Sequence, residues 1–322
     1  MIMAETYKWA VMGPGTIARL FCSDLKRAKG AELRAVGSSS RERAERFARE
    51  FSVDRAYGSY EQLLADGDID VVYVSTVNTK HTECVKAALQ AGKAVLCEKP
   101  LGMSAVEARA VFALAREKNC FLMEALWTRF LPAYQRMMQW ISEGRIGEVR
   151  RVTADFAFAA AFDPKSRLFD PALGGGSILD LGSYILGLAH DVFGALPEHT
   201  SSTVYVGSSG VDETVSLTLE FGRGRLANLY CSVRCPTPHS AFVYGSEGYI
   251  HLPDFWRATS AYLYREDQRV DALEHPQEGR GYEYEAMAVM ECLRQGRITC
   301  AAIPPEQSFA LAEAIDEVRA SA

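Results

Sequence analysis

Trp9-Ala10-Val11-Met12-Gly13-Pro14-Gly15-Thr16-Ile17-Ala18 decides the fold of this chain. A short apolar run enters a Gly-x-Gly-x-x-Ala turn, and a helical pattern follows through Leu25. The spacing lets the backbone turn tightly, approach a pyrophosphate and pack a helix on the preceding strand. Amide groups at the helix start, Thr16 and Ile17 among them, then face the anion.

The strand and helix pattern recurs downstream. Glu32–Val36 reads as a strand and 41–51 as a helix, Ile69–Val74 as a strand and 81–91 as a helix. Ala94–Cys97, a helix over 104–118 and a strand over 120–123 complete the set. Alternation of this kind, with strands apolar on both faces, predicts a doubly wound parallel sheet. Ligands in such sheets sit outside the carboxyl ends of the strands. Those ends carry Gly13–Ala18, Gly37–Arg41, Ser75–His81 and Glu98-Lys99-Pro100. The last is a lysine between an acid and a proline at the end of a buried strand. Burial disfavours its ammonium while a neighbouring carboxylate favours it, so a functional role is expected.

The texture changes after Gly147. Runs at 149–156, 202–206, 214–221, 225–233, 241–252 and 261–264 read as strands without intervening helices, which predicts a large, mostly antiparallel sheet. One helix, 178–193, interrupts it after Gly174-Gly175-Gly176, and helices over 282–295 and 306–319 close the chain. The fold class is therefore α/β, a Rossmann domain over 1–125 followed by an α+β domain over 126–322. The second is expected to bind substrate and to support oligomerisation. Rows within Thr214–Leu219 and Leu226–Tyr230 are expected to supply an apolar sheet face that a partner copy covers.

Composition narrows the functions. The chain has 322 residues, 48% hydrophobic and 24% charged, with a formal net charge of −6. That balance offers no basic footprint for nucleic acid or an anionic membrane. No apolar run reaches the length of a membrane span, and Met1–Lys8 lacks the pattern of a signal peptide, so a cytoplasmic location is expected. Eight cysteines are scattered without Cys-x-x-Cys spacing or a Cys/His cluster. Free thiols and no metal site follow.

Gly13-x-Gly15-x-x-Ala18, Ser75-Thr76-x-Asn78-x-x-His81, Glu98-Lys99-Pro100 and Gly175-Gly176-x-x-x-Asp180-Leu181-Gly182-x-Tyr184 together resemble the Gfo/Idh/MocA oxidoreductase superfamily. Met123–Phe130 is similar to the branch containing dimeric dihydrodiol dehydrogenase and NADP-linked D-xylose dehydrogenase. Where many inositol-type members carry histidine as the acid, this chain has Tyr184. The resemblance implies that Lys99, Asp180 and Tyr184 are catalytic. It implies that Thr76 and Asn78 line the nicotinamide pocket, that Glu98 binds cofactor ribose, and that Trp127 and Arg129 border cofactor and substrate.

Asp180 and Tyr184 share a helix face. They read either as a buried tyrosine held by a carboxylate or as an acid–base pair. Carbonyl reduction needs a proton donor and a cationic neighbour, which Tyr184 and Lys99 would supply. Trp127 reads equally as core. His81, opening a helix, reads as a packing or capping group, a proton donor, or a cofactor contact. His190 and His275 carry no partner signal. An acid, expected at the end of the second strand for NAD, is replaced by Gly37-Ser38-Ser39-Ser40-Arg41. Ser38, Ser39 and Arg41 therefore predict NADP over NAD.

The expected function is hydride transfer between NADP and a small sugar-like or polyhydroxy carbonyl or alcohol, by a homodimer or higher homo-oligomer. Trans-dihydrodiol dehydrogenation is the alternative within enzymes. A catalytically silent dinucleotide-binding regulator is the alternative of another class, disfavoured by the joint presence of Lys99, Asp180 and Tyr184.

Overall fold

The computed structural model describes residues 6–321, so most of the Met1–Lys8 stretch lies outside the described residues. The chain divides into two compact units, Met1–Trp127 with Gly279–Phe309, and Thr128–Glu278 with Ala310–Ala322.

In the first unit β1 (Tyr7–Met12), α1 (Thr16–Leu25), β2 (Ala31–Gly37) and α2 (Arg41–Phe51) follow the expected pattern. A short strand β3 (Arg55–Tyr57) and helix α3 (Tyr60–Leu64) come next, and the sequence pattern does not announce them. Then follow β4 (Val71–Val74), α4 (His81–Gln90), β5 (Ala94–Glu98), α5 (Ala105–Lys118) and β6 (Leu122–Ala125). The six strands are all parallel, in the order β3-β2-β1-β4-β5-β6. The order reverses between β1 and β4, the switch point at which such sheets bind dinucleotides. β4 and β5 are buried on both faces, which explains their unbroken apolar sequence. Ser40, Ser59 and Ser104 cap α2, α3 and α5 by accepting a backbone N–H three residues on.

The second unit opens with α6 (Pro132–Ser142), followed by β7 (Val149–Ala157) and α7 (Ser177–Phe193). The strands β8 (His199–Val206), β9 (Asp212–Glu220), β10 (Leu226–Ser232), β11 (Ala241–Gly245), β12 (Tyr249–Leu252), β13 (Ser260–Arg265) and β14 (Gln268–Glu274) follow. The run 241–252 is two strands, because the chain reverses where Gly245 N–H donates to Gly248 O at 2.8 Å. The eight strands are ordered β14-β13-β12-β11-β7-β10-β9-β8. Only β7 and β10 pair in parallel. α7 lies on β7, β9 and β10, while α6 lies on β12, β13 and β14.

This packing corrects one expectation. The apolar members Val215, Leu217, Leu219, Ala227 and Leu229 are buried within the unit, on the strands that α7 covers. Alternation sends Thr214, Ser216, Thr218, Asn228 and Tyr230 to the opposite face. On β11 to β13 the half-buried positions carry aromatic rings. Phe242 stacks on His251 at 4.2 Å and Tyr249 on Tyr264 at 4.7 Å between centroids.

Two late helices, α8 (Tyr282–Arg294) and α9 (Pro305–Ala320), complete the chain. α8 returns to the first unit and packs on α1. Buried Asp24 on α1 accepts the backbone N–H groups of Arg280, Gly281 and Tyr282 at 2.8, 3.0 and 3.2 Å. It therefore satisfies the orphan donors at the start of α8.

Candidate active site

In the first unit, Gly13 adopts φ +97°, and a Cβ there would lie 2.9 Å from both Ser75 O and Thr76 N. Only glycine lets the first turn press against the end of β4. Gly15 precedes α1 without a side-chain cap, and the first turn of α1, starting at Thr16 and Ile17, contains no acid. Its amide groups and positive dipole end are thus open to a pyrophosphate.

At the end of β2, Ser38 is buried and its Oγ accepts from Ser40 N at 3.2 Å. Ser39 Oγ accepts from Arg43 Nη2 at 2.8 Å. Arg41 is exposed and pairs with Glu45 one turn along α2, Nε to Oε1 at 2.7 Å. The structure therefore brings two guanidinium groups to this helix start, and Arg43 is the one that the sequence reading passed over. No acid stands in the segment 38–41, so the residues present fit a phosphorylated ribose better than a bare diol.

Glu98-Lys99-Pro100 is held from two sides. His81 is buried, with Nδ1 2.7 Å from Pro100 O and Nε2 3.2 Å from Thr76 O. Burial, aided by the Lys99 charge, pulls its imidazole below the ordinary histidine value despite those carbonyls. The neutral ring has one N–H to donate and lies between the Thr76–Asn78 loop and the Lys99 turn. On the other side, Leu101 N–H donates to Glu124 Oε1 at 3.0 Å. The Lys99–Pro100 peptide bond is cis and Lys99 is half-buried. Glu98 is buried and accepts a hydrogen bond from the Tyr73 hydroxyl, whose ring stacks on Phe21 at 3.8 Å. Trp127 is fully buried and packs on Tyr282, centroids 4.5 Å apart.

Glu285, on α8, is an unusual buried acid. It is 0% exposed, and neither carboxyl oxygen has a hydrogen-bond partner. Burial first, then the Glu98 charge, pushes its pKa well up. Burial thus favours its neutral, protonated form. No sequence motif marks it.

In the second unit the site is built on α7. Gly176, at φ 122°, leaves room for Asp212, whose Oδ1 would lie 2.3 Å from a Cβ. Asp212 Oδ2 accepts from Ser177 Oγ and Ile178 N, both at 2.7 Å, and so caps α7 from β9. Asp180 follows in the first turn. Arg167 grips it, Nη1 to Oδ1 at 2.9 Å and Nη2 to Oδ2 at 3.3 Å. One turn later, half-buried Tyr184 meets Phe156 edge-on at 5.2 Å and Trp256 at 6.2 Å. Phe156 in turn stacks on Trp256 at 4.9 Å.

His239 buttresses this aromatic set. Trp256 Nε1 donates to its Nδ1 at 3.3 Å and its Nε2 lies 2.7 Å from Ala157 O, which fixes the tautomer with the proton on Nε2. Arg129 lies in a buried ion pair, Nε to Asp191 Oδ2 at 2.7 Å, and Tyr134 Oη donates to the same oxygen at 2.6 Å. The His190 imidazole nearby is pushed down to about 4, by burial and then by Arg129, and stays neutral. Among the described residues no group of three or more His, Cys, Asp or Glu side chains is placed to hold a metal ion. No described helix is long and apolar enough to cross a membrane.

Comparison with known proteins follows the same division. Residues 7–126 match the Gfo/Idh/MocA model described as an oxidoreductase family with an NAD-binding Rossmann fold. Residues 134–251 match the Gfo/Idh/MocA C-terminal domain. The chain is 36% identical over 323 residues to trans-1,2-dihydrobenzene-1,2-diol dehydrogenase of Mus musculus, covering 97% of this chain and 96% of that one. To the Homo sapiens protein of the same name it is 35% identical over 321 residues, with the same coverage. A 3-ketoreductase from Actinomadura kijaniata, solved with NADP and TDP-benzene, superimposes with a TM-score of 0.87 at 27% identity over 98% of both chains. An aldose-aldose oxidoreductase from Caulobacter crescentus does so at 0.89 and 23% identity over 98% of both, a likeness of fold.

Proposed function

The chain belongs to the Gfo/Idh/MocA family of oxidoreductases, and from that membership we propose that it is an NADP-dependent enzyme acting on a small sugar-like or polyhydroxy carbonyl or alcohol. One observation carries the reading. Asp180 and Tyr184 stand one turn apart on a single face of α7, with Asp180 ion-paired and Tyr184 edged by aromatic rings. A hydroxyl that can donate and accept a proton, next to a carboxylate that can orient hydroxyls, suits polyol chemistry.

The nicotinamide supplies the hydride when bound. The chain's own groups manage the charge. Tyr184 Oη holds the proton for the oxygen on which negative charge develops, and takes one back in the oxidising direction. Lys99 Nζ is the cation that stabilises that oxygen. Asp180 orients neighbouring substrate hydroxyls. In the first unit, Thr76, Asn78 and Glu98 are assigned to the nicotinamide riboside. Ser38, Ser39, Arg41 and Arg43 are assigned to the ribose phosphate, supported by the absence of an acid after β2. His81 acts behind them as a positioning residue.

A second reading, oxidation of trans-dihydrodiols, is favoured by the ring set around Tyr184. Phe156 and Trp256 present flat apolar surfaces that suit a cyclic diol. The mammalian relatives bear that name. We further assign the enzyme to the cytoplasm and to a homodimer formed by the aromatic face of the eight-stranded sheet, where Phe242, Tyr244, Tyr249, Tyr262 and Tyr264 are half-buried. A monomer mass in light scattering at micromolar concentration would contradict the dimer.

The functional test is a panel of aldoses, ketoses and cyclic diols with NADP⁺ and NAD⁺, followed by nicotinamide absorbance. Turnover of at least one class, with NADP⁺ preferred, is expected. Tight NADP⁺ binding without turnover of any class would identify a silent regulator instead.

A further inference from the structure

A cavity of about 590 Å³ lies within the second unit, lined from the end of α7, the edge strand β8 and α9. Ala310 and Ala314, one turn apart on α9 and both buried, line it with methyl groups. Leu196, 58% exposed, and Pro197 add apolar surface. Glu198, Glu220, Glu313 and Glu317 line it with exposed carboxylates. The chain brings the first two together where Glu198 N–H donates to Glu220 O at 2.6 Å. Ser202 Oγ lies 2.9 Å from Ser321 Oγ, which holds the end of α9 to β8. His190 also lines the cavity and is only 5% exposed. Among the described residues neither of its ring nitrogens has a hydrogen-bond partner. A buried polar group left unpaired costs free energy, and a ligand in the cavity would remove that cost.

We propose that this cavity binds a linear aliphatic polyamine, its ammonium groups held by the four carboxylates and His190 and its methylene chain by the apolar residues.

The lining selects that class of ligand. Four carboxylates face two histidines, His190 and His199, and no lysine or arginine lines the cavity. Glu313 and Glu317 stand four apart on α9, where like charges repel, and a bound cation relieves that repulsion. A single metal ion suits the site poorly. The acids do not converge on one point, since among the described residues no group of three or more His, Cys, Asp or Glu is placed to hold a metal. A chain of ammonium groups separated by methylenes matches carboxylates that are spread out. Leu196, Pro197, Ala310 and Ala314 give the methylenes apolar contact.

His190 adds a hydrogen-bond acceptor rather than a charge. Burial, then the Arg129 charge, brings its imidazole down to about 4, so at neutral pH the ring keeps a lone pair that can accept from an ammonium N–H. His190 follows Tyr184 by six residues on α7, about 9 Å along the helix axis. Occupancy of the cavity therefore does not require the substrate pocket to be filled.

The test titrates spermidine into the full chain at neutral pH and low salt by calorimetry. One site per chain is expected, weakening as salt is added. Glu198→Gln and Glu313→Gln, both at exposed positions, should each weaken binding by about threefold to fivefold, and together by about tenfold or more. Glu117→Gln, an exposed carboxylate of the first unit, should leave it unchanged. Ala314→Leu fills the cavity without removing a charge and should abolish binding. Should that variant not fold, the His190 imidazole nitrogen resonances of the wild-type chain locate the ligand, and they should move on saturation. Unchanged affinity in the Glu198→Gln/Glu313→Gln double variant would overturn the proposal. So would His190 resonances that stay in place at saturation, Mg²⁺ displacing spermidine mole for mole, or no binding at millimolar spermidine.

Discussion

Arg167 holds Asp180 in a two-pronged ion pair, and it reaches Asp180 from the loop that precedes α7. Arg167 is exposed while Asp180 is nearly covered. The guanidinium therefore fixes the carboxylate's rotamer. Arg167→Ala should raise KM for the polyol by about tenfold, in line with one charge-assisted contact, with a smaller effect on kcat. Steady-state kinetics at saturating NADP⁺ checks this. A KM effect confined to NADP⁺ would place Arg167 elsewhere in the reaction.

Arg41 and Arg43 flank the start of α2, with Arg43 bound to Ser39. If both serve the ribose phosphate, Arg41→Ala and Arg43→Ala should each weaken NADP⁺ binding by about 1 to 2 kcal/mol, roughly tenfold in Kd, and leave NAD⁺ binding unchanged. Isothermal titration with the two dinucleotides reads both. Equal losses for NADP⁺ and NAD⁺ would remove these arginines from the phosphate site.

Glu285 should make the protein less stable as pH rises. Its folded pKa is raised, so the folded state holds a proton that the unfolded chain releases above about pH 4.3. Stability from the neutral acid is full below that pH and declines by about 1.4 kcal/mol per pH unit until the folded group itself ionises. Glu285→Gln keeps the shape and cannot titrate. Its unfolding midpoint in urea should match wild type near pH 4 and exceed it increasingly toward pH 8. A constant difference across that range would show that Glu285 is not held neutral.

Gly176→Ala should destabilise the protein by about 2 kcal/mol or more, because the backbone is left-handed there and the new Cβ would collide with Asp212. Loss of the Asp212 cap would loosen the start of α7, and with it Asp180. Thermal unfolding checks the first effect and KM for substrate the second.

Much of this was legible in the sequence because it is local. Val71–Val74 and Ala94–Glu98 announce buried parallel strands by unbroken apolar residues, and Ser104 with Glu107 marks a helix start. Gly13 and Gly176 declare themselves because no other residue fits their backbones. α6 was also within reach. Pro132 at its start and buried Ala133, Tyr134, Met137 and Trp140 carry a helical period that the reading did not take up. Arg167, Asp212, Glu124 and Glu285 were not accessible in the same way. Each acquires its meaning from a partner far along the chain or from burial, and neither leaves a motif. The apolar row of β9 and β10 was visible as a row, but not which side α7 would cover.

The central claim is that Tyr184 carries the proton. The most direct measurement compares wild type and Tyr184→Phe in turnover number across pH, with NADP⁺ affinity measured in parallel. General acid–base catalysis contributes about 10²–10⁴-fold, so turnover should fall by that order, NADP⁺ binding should hold, and the alkaline rise of the oxidative rate should disappear. A phenylalanine enzyme that turns over within about threefold of wild type, with the same pH profile, would contradict the account.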